Sequence, residues 1–402
     1  MADTTSEADW TFIENLFPEG WRELASEMGL VRKLEPHIGQ KVHDIGTALR
    51  LVLHYVAQRG SMRTTTAVAA VAGIVSISQP ALFKWMLKIG AYLEALVARM
   101  VEPGQFAASQ WGGYILIAAD ASTVSRPGAK GTTARLHYAL HLSDLRPRFV
   151  RVTDDKVGET ARNFDVAPNE LWILDRGYSN PPSVLAVVRA GGAILVRLNR
   201  HSLPLYNAAG DQVDVPALLK ETTRRERAQH RAVRVIATNG EEVRAQLCWM
   251  WLPEREANKA RTRAMRDGER DIAELDLAEY VVVLTTAPSS RLNATQVIEL
   301  YRARWQIELE FKRDKSIGEL DRLPNLLPQT IHAWLCAKVL LGLIARRLGS
   351  AEVAIPPSGL ADAILPPLAT QAATPGRRRR ALVRDAVGLG HSARRTHAHQ
   401  AS

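Results

Sequence analysis

The spacing of apolar positions changes along the chain, and each change predicts a different kind of element. In residues 1–103 apolar side chains recur every three or four positions, which is typical of helices packed through one face. The runs Thr47–Val56 and Thr66–Ala72 are predicted to be two such helices. A third is predicted to begin at Gln79–Pro80, because proline is favoured in the first turn of a helix. Residues 1–103 are therefore predicted to be mostly helical.

A short turn, predicted at Gly73–Ser78, separates the second of these helices from the third. Two helices joined in this way are typical of the helix-turn-helix, in which the second helix enters the major groove of DNA. That arrangement would place Gln79 and Lys84 near the surface that reads the bases. The alternative is a plain helical hairpin that packs its apolar faces together.

Shorter apolar runs after residue 110 predict strands. Tyr114–Asp120 and Glu170–Asp175 are each a short apolar run, typical of a buried strand, that ends on a carboxylate. Between them, Arg135–Leu142 and Phe149–Thr153 flank the turn-rich segment Ser143–Arg148 and predict a hairpin. A half-buried carboxylate at a strand end is costly unless it is paired or bound to a metal. Each aspartate taken alone is better explained as a strand-end cap or a turn residue.

Further strands are predicted between residues 191 and 287, because β-branched and aromatic residues are dense there. They are Gly192–Leu198, Arg231–Ala237, Val243–Leu252 and Tyr280–Leu284.

The end of the chain changes character twice. Gln329–Ile344 is predicted to be an apolar helix that packs on the core, since it contains Lys338 and is shorter than the roughly 18–20 residues of a membrane span. Residues 346–402 are rich first in Ala and Pro and then in Arg, Ser and His, which predicts a weakly ordered basic tail. Arg377–Arg380 either contacts DNA phosphates or is simply solvated.

The amino-acid composition indicates which class of molecule the protein binds. The 402 residues allow two or three domains, and a net charge of +10 with a pI near 9.8 favours nucleic acid. The first residues are acidic and polar, unlike a secretory signal, and Cys248 and Cys336 have neither metal-ligand nor disulfide spacing. We therefore expect a cytoplasmic protein with no membrane partner. His137 and His141 alternate with apolar residues and are expected to face the surface.

The segment from Tyr301 to Lys315 has the rhythm of one helix. At about 100° per residue, Tyr301, Arg304, Glu308 and Lys315 fall on one narrow stripe, and Trp305 lies beside it. A carboxylate among a phenol, a guanidinium and an ammonium suits a site for a divalent metal and a phosphate. The alternative is a solvated helix face with an ordinary ion pair between Arg304 and Glu308.

Three acids, Asp120, Asp175 and Glu308, suit phosphodiester cleavage. Two divalent metals roughly 3.5–4 Å apart activate the nucleophile and stabilise the leaving oxygen. Magnesium prefers carboxylate oxygens, so one acid can bridge two ions while each of the others holds one.

The order Asp120, Asp175, Glu308, with Tyr301, Arg304 and Lys315 around the last acid, resembles the DDE transposases of bacterial insertion sequences. It is most similar to the IS-four family, whose hallmark is this Y-R-E-K signature. The resemblance covers roughly residues 110–345. It implies an α/β fold: a ribonuclease H-like catalytic core with an inserted β-rich domain at about 191–287, preceded by a mostly helical DNA-binding domain at 1–103.

The resemblance also implies the chemistry. Asp120, Asp175 and Glu308 would be the catalytic metal ligands, with two Mg²⁺ ions for which Mn²⁺ can substitute. Tyr301, Arg304 and Lys315 would contact phosphates at the transposon end. The reaction would be cut-and-paste transposition, with double-stranded DNA as transposon end and target, a homodimer in the synaptic complex, and a bacterial cytoplasm with nucleoid association.

Members of the family that pass through a hairpin intermediate stack an aromatic side chain on a flipped base. Trp305 would take that role, and Trp249 or Trp251 would add a second wall, unless these tryptophans pack in the core. Two alternatives remain for the whole chain. One is a catalytically inactive DNA-binding inhibitor of transposition or a decayed copy, and the other is a ribonuclease H-like nuclease or resolvase.

Overall fold

The structure, a computed structural model, describes residues 10–30, 42, 44–57, 61–101, 109, 111–221, 227–309, 323 and 327–350. The predicted tail beyond residue 350 and the end of the predicted Tyr301–Lys315 helix, including Lys315, lie outside the described residues.

Helices form the N-terminal part. They are α1 (Trp21–Glu27), α2 (Ile45–Ala57), α3 (Met62–Val71), α4 (Gln79–Lys88) and α5 (Gly90–Met100). The side chains of Ser61 and Ser78 accept hydrogen bonds from the first turns of α3 and α4 and so fix where these helices begin. The three helices predicted from the apolar spacing are confirmed in α2, α3 and α4.

The strands of the rest of the chain form a single eight-stranded sheet within the described residues. They are β1 (Ile115–Val124), β2 (Ala134–His141), β3 (Pro147–Asp154), β4 (Glu170–Leu174), β5 (Ala193–Arg197), β6 (Gln229–Ile236), β7 (Glu242–Trp251) and β8 (Tyr280–Thr285). Their order is β3-β2-β1-β4-β5-β8-β7-β6. The β1–β4 and β4–β5 pairs are parallel and the other pairs are antiparallel. The predicted hairpin and the strands predicted between residues 191 and 287 are confirmed.

Helices cover both faces of this sheet. They are α6 (Pro181–Arg189), α7 (Val215–Glu221), α8 (Glu254–Arg266), α9 (Ile272–Ala278), α10 (Ala294–Arg302) and α11 (Pro328–Ser350). On one face, Ala118 and Val283 pack into a core shared with the N-terminal helices, α10 and α11. On the other face, Ala119 and Leu284 pack with α6, α7 and α9. The segment between residues 191 and 287 therefore holds helices as well as strands, and its strands continue the sheet.

The C-terminal helix α11 joins the two halves, because it packs against α2, α4, α5 and β3. Its stretch Pro328–Arg347 is the one part of the described chain with the length and mean hydropathy of a membrane span, and 67% of its apolar window is buried inside the protein. That burial is typical of a core helix, as the sequence predicted.

The expectation that His137 and His141 face the surface is wrong. Both imidazoles are buried, and Nε2 of His137 lies 3.0 Å from Oγ1 of Thr153. Strand β2 is covered on both faces, so its alternate positions are buried too. Burial lowers the pKa of His137 to about 4 and that of His141 to about 3, so both rings are neutral.

Candidate active site

Strand β1 places Asp120 beyond the point where β1 and β4 stop pairing. The sequence predicted that the strand ends at this aspartate, but β1 continues to Val124 because its pairing with β2 continues. The parallel pairing with β4 ends earlier, at Ala118 and Ile173. Asp120 therefore lies just past the last β1–β4 pair, where its carboxylate is 18% exposed and accepts a 2.8 Å hydrogen bond from the N–H of Ala121.

Asp175 follows β4 directly, as predicted. It caps a short turn, Arg176–Tyr178, by accepting a 2.5 Å hydrogen bond from the N–H of Arg176. Strands β1, β3, β4 and β5 run in the same direction, so their C-terminal ends share one edge of the sheet, here called the carboxyl edge. Both aspartates lie at this edge.

The two aspartates affect each other electrostatically. Burial raises the pKa of Asp120 to about 7, and the negative charge of Asp175 adds to the rise. The N–H of Ala121 and the guanidinium of Arg304 act in the opposite direction. Asp120 therefore lies in a pocket that disfavours its charged form unless a cation joins it.

The prediction of one unbroken helix from Tyr301 is wrong. Helix α10 ends at Arg302, and helical structure resumes at residues 305–309. Across the break, each backbone hydrogen bond joins residues three apart instead of four. The N–H of Arg304 donates to the carbonyl of Tyr301 at 3.1 Å, and the N–H of Ile307 donates to the carbonyl of Arg304 at 3.1 Å. Such turns are tighter than an α-helix but keep residues three and four apart on one side.

Arg304 connects the two parts of the site. Its Nη2 donates to Oε1 of Glu308 at 2.5 Å, and its Nη1 lies 3.9 Å from Oδ2 of Asp120. Its guanidinium is 5.9 Å from the ring centre of Tyr301. Burial raises the pKa of Tyr301 to about 12, so the phenol stays protonated. The structure thus places Arg304 between Asp120 and Glu308, with Tyr301 beside its guanidinium, although the helix that was to align these residues is broken.

The remaining predicted site residues differ in their exposure and in where they lie relative to the two aspartates. Glu308 is 44% exposed and engaged by Arg304, and Trp305 is half-buried beside it. Gln79 and Lys84 are exposed on α4, in the N-terminal part. Among the described residues, no three His, Cys, Asp or Glu side chains stand close enough to hold a metal ion as they are.

A further acid, Glu159, was missed by sequence reasoning. It lies in the connection between β3 and β4 and is half-buried. Its carboxylate rests on Gly177, in the turn that follows Asp175, so closely that a Cβ at Gly177 would collide with Oε2. The available signal was the topology: β3 ends at the carboxyl edge, so its outgoing connection starts at the same end of the sheet as both aspartates.

Glu274, on α9, was also missed. It is 7% exposed and accepts hydrogen bonds from Nη2 of Arg176 at 3.2 Å and from Nε of Arg200 at 2.5 Å. Nε2 of His201 lies 3.1 Å from its Oε1. Because Arg176 adjoins Asp175, Glu274 ties the segment between residues 191 and 287 to the turn that carries the second aspartate. No local sequence signal marks a contact over 98 positions.

The donor set fits a hard divalent cation. Asp120 and Asp175 offer carboxylate oxygens, the preferred ligands of magnesium, and burial penalises the uncompensated charge of Asp120. Glu308 can reach such an ion only by leaving Arg304. A metal joining the two aspartates would therefore replace the weak compensation that Arg304 gives at 3.9 Å.

Comparison with known proteins places this geometry in a family context. Residues 111–341 match the sequence model of the family described as Transposase DDE domain. The putative transposase InsL for insertion sequence element IS186A of Escherichia coli (strain K12) is 27% identical over 327 residues, which cover 79% of this chain and 88% of that protein. The transposase for insertion sequence element IS421 of Escherichia coli is 27% identical over 328 residues, with the same coverage.

Proposed function

This chain belongs to the DDE transposase family, in its IS-four branch, and we propose that it binds the ends of its insertion sequence and catalyses their cleavage and strand transfer. The catalytic residues in this proposal are Asp120, Asp175 and Glu308. The observation that carries it is the meeting of Asp120 and Asp175 at the carboxyl edge, with Arg304 linking Asp120 to Glu308.

The catalytic core of this proposal is ribonuclease H-like and spans about residues 110–345. Three antiparallel strands, β3-β2-β1, followed by the parallel strands β4 and β5, support that assignment. Residues 191–287 would be the insertion, and residues 1–103 a helical DNA-binding domain. The capped pair α3–α4 with its exposed Gln79 and Lys84 supports a helix-turn-helix there.

DDE transposase domains generally use divalent metal ions. We assign two Mg²⁺ ions, replaceable by Mn²⁺, to the carboxylates of Asp120, Asp175 and Glu308. Bound there, the metal would activate water for attack and stabilise the leaving oxygen. The chain's own part is to hold three acids at one edge and to keep Arg304 beside them as a donor for a phosphate oxygen.

DNA would approach the site along the Tyr301–Glu308 surface. Arg304 would exchange Glu308 for a phosphate, because a guanidinium matches two phosphate oxygens. Tyr301 and Lys315 would contact neighbouring phosphates, and Trp305 would stack on a base. Two copies of the chain would hold two transposon ends and the target DNA in a synaptic complex, in the bacterial cytoplasm at the nucleoid.

The test is to remove each carboxylate charge with little change in size. Asp120→Asn, Asp175→Asn and Glu308→Gln should each abolish Mg²⁺-dependent nicking of the element's own ends while gel-shift affinity for those ends stays near wild type. The exposed acids Asp155 and Glu299 provide matched controls, Asp155→Asn and Glu299→Gln, which should retain nicking. Substantial cleavage by a triad variant would remove that residue from the site. End binding by the wild-type protein without any cleavage would instead favour the inactive inhibitor.

A further inference from the structure

We propose that Glu159 is an additional cation-binding carboxylate of this site, so that in the DNA-free protein the first divalent ion binds among Asp120, Asp175 and Glu159 while Glu308 stays with Arg304. The inference rests on the proposed function and extends its ligand set to a residue outside the DDE triad.

The backbone builds a seat for the Glu159 carboxylate. Its Oε2 occupies the space that a side chain on Gly177 would need, two positions after Asp175. The connection that carries Glu159 leaves β3 at the carboxyl edge, where β1 and β4 deliver the two aspartates. Glu159 and Asp175 therefore meet at one turn, at the same end of the sheet as Asp120.

The seat lacks compensating partners. Within the described residues, Glu159 makes neither a hydrogen bond nor an ion pair. Arg135 is its neighbouring cation, yet Nη1 of that arginine donates to the carbonyl of Val157. A half-buried carboxylate without a partner is costly, and a bound cation would remove that cost.

An independent observation at the same place is the hydroxyl of Tyr178. The residue is fully buried, and its hydroxyl has no hydrogen-bond partner within the described residues. Tyr178 adjoins Gly177, on which the Glu159 carboxylate rests, and lies in the turn that Asp175 caps. The carboxylates of Asp120, Glu159 and Asp175 are all near enough to interact with it electrostatically. A buried hydroxyl without a partner normally indicates a missing water or ion, and water bound to a magnesium ion would supply that partner.

Glu159 is better placed than Glu308 for the first ion. Glu308 is 44% exposed, and it can leave Arg304 only by breaking a 2.5 Å charged hydrogen bond. Glu159 is half-buried, and no hydrogen bond or ion pair within the described residues has to be broken to release it. No three acids in the described chain stand close enough to hold one ion as they are, so the inference requires the Glu159 side chain to move toward the two aspartates when the ion binds.

The experiment measures Mn²⁺ binding to the full-length protein without DNA, by calorimetry and by the electron paramagnetic resonance signal of free Mn²⁺. Asp120→Asn and Glu159→Gln should each weaken the tightest site by about tenfold or more, as loss of a ligand or its close support does. Glu308→Gln and Asp155→Asn should leave it unchanged. Glu308→Gln should weaken Mn²⁺ binding only after the element's end DNA is added.

A second pair of variants tests the seat without touching any acid. Gly177→Ala would push the Glu159 carboxylate away and should weaken Mn²⁺ binding, whereas Gly158→Ala, which meets nothing within 4 Å, should not. Unchanged Mn²⁺ binding in both Glu159→Gln and Gly177→Ala would overturn the inference, and equal loss in Glu308→Gln would overturn the order. Unchanged binding in Asp120→Asn would instead refute the proposed metal site itself.

Discussion

Arg304 holds Glu308 through a 2.5 Å hydrogen bond from Nη2 to Oε1, across a break in the helix that carries both residues. The same guanidinium reaches toward Asp120 at 3.9 Å and is 14% exposed. Burial lowers the pKa of Arg304, but Tyr301, Asp175 and Glu308 raise it above the ordinary value, so the group stays charged. A permanent cation therefore stands between two of the three proposed catalytic acids before DNA arrives.

Replacing Arg304 by alanine should weaken end binding and slow both nicking and the following step. The reason is that a phosphate contact is lost at the place where the scissile strand enters. The measurement is single-turnover cleavage together with end binding at several salt concentrations, and the salt dependence should fall by about one counterion. Arg302→Ala removes a neighbouring, exposed arginine and should preserve cleavage. An unchanged salt dependence in Arg304→Ala would assign this arginine to the fold alone.

Asp120 should make the metal-free protein less stable as the pH rises. Its pKa is about 7 in the fold against an ordinary 3.8, so the folded chain binds the proton more tightly than the unfolded chain does. The stabilisation is complete below pH of about 4 and is lost as the pH rises through about 7, with an upper bound of roughly 4 kcal/mol. Asp120→Asn should remove this dependence.

The measurement for Asp120 is the free energy of unfolding from urea titrations between pH 5 and 8.5 in EDTA. Asp155→Asn, at an exposed position, should follow the wild-type curve. Added Mn²⁺ should restore the stability of the wild type at high pH and leave Asp120→Asn unaffected. Parallel curves for the wild type and Asp120→Asn would show that the pocket does not perturb this carboxyl.

Local patterns predicted the parts of the site that depend on neighbours in sequence. Asp175 was found because the buried run before it ends where β4 ends. The pairing of Arg304 with Glu308 was found because residues four apart remain adjacent even through the tighter turn. These contacts need no knowledge of the rest of the fold.

Long-range pairing decided what the sequence did not predict. Asp120 lies inside β1 because β2, the next strand along the chain, continues to pair past it. His137 is buried because Phe164, in the connection to β4, covers the second face of β2, with 6.4 Å between ring centres. Glu159 and Glu274 join the site through contacts that no short motif encodes.

Glu274 should act as a positioning residue for Asp175. It holds Arg176, whose N–H donates to the Asp175 carboxylate. Glu274→Gln should therefore loosen the turn and slow single-turnover cleavage by about tenfold with little change in end affinity. A raised Mn²⁺ requirement for cleavage should accompany the slower rate. Glu279→Gln is the matched control, because Glu279 is similarly buried at the end of the same helix, α9, but pairs with Arg261 at 2.9 Å.

The outcome for Glu274 is read as a difference between the two variants. If both variants lose thermal stability equally but only Glu274→Gln loses cleavage, Glu274 is established as a positioning residue for Asp175. Rates that fall equally in Glu274→Gln and Glu279→Gln would show that cleavage only requires residues 191–287 to be folded.

Trp305 should matter after the first nick. It is half-buried at the start of helical residues 305–309, directly beside Arg304, and so borders the proposed path of the cut strand. Stacking of an extruded base on an aromatic ring contributes roughly 1–3 kcal/mol, so Trp305→Ala should spare nicking and slow the following hairpin or strand-transfer step by about tenfold or more.

Trp305→Phe should retain most of that step because it keeps a ring. Trp251→Ala, on β7, should leave nicking intact and tests whether the insertion adds a second aromatic wall. Unfolding of Trp305→Ala, or equal slowing of both steps, would assign Trp305 to core packing rather than to base stacking.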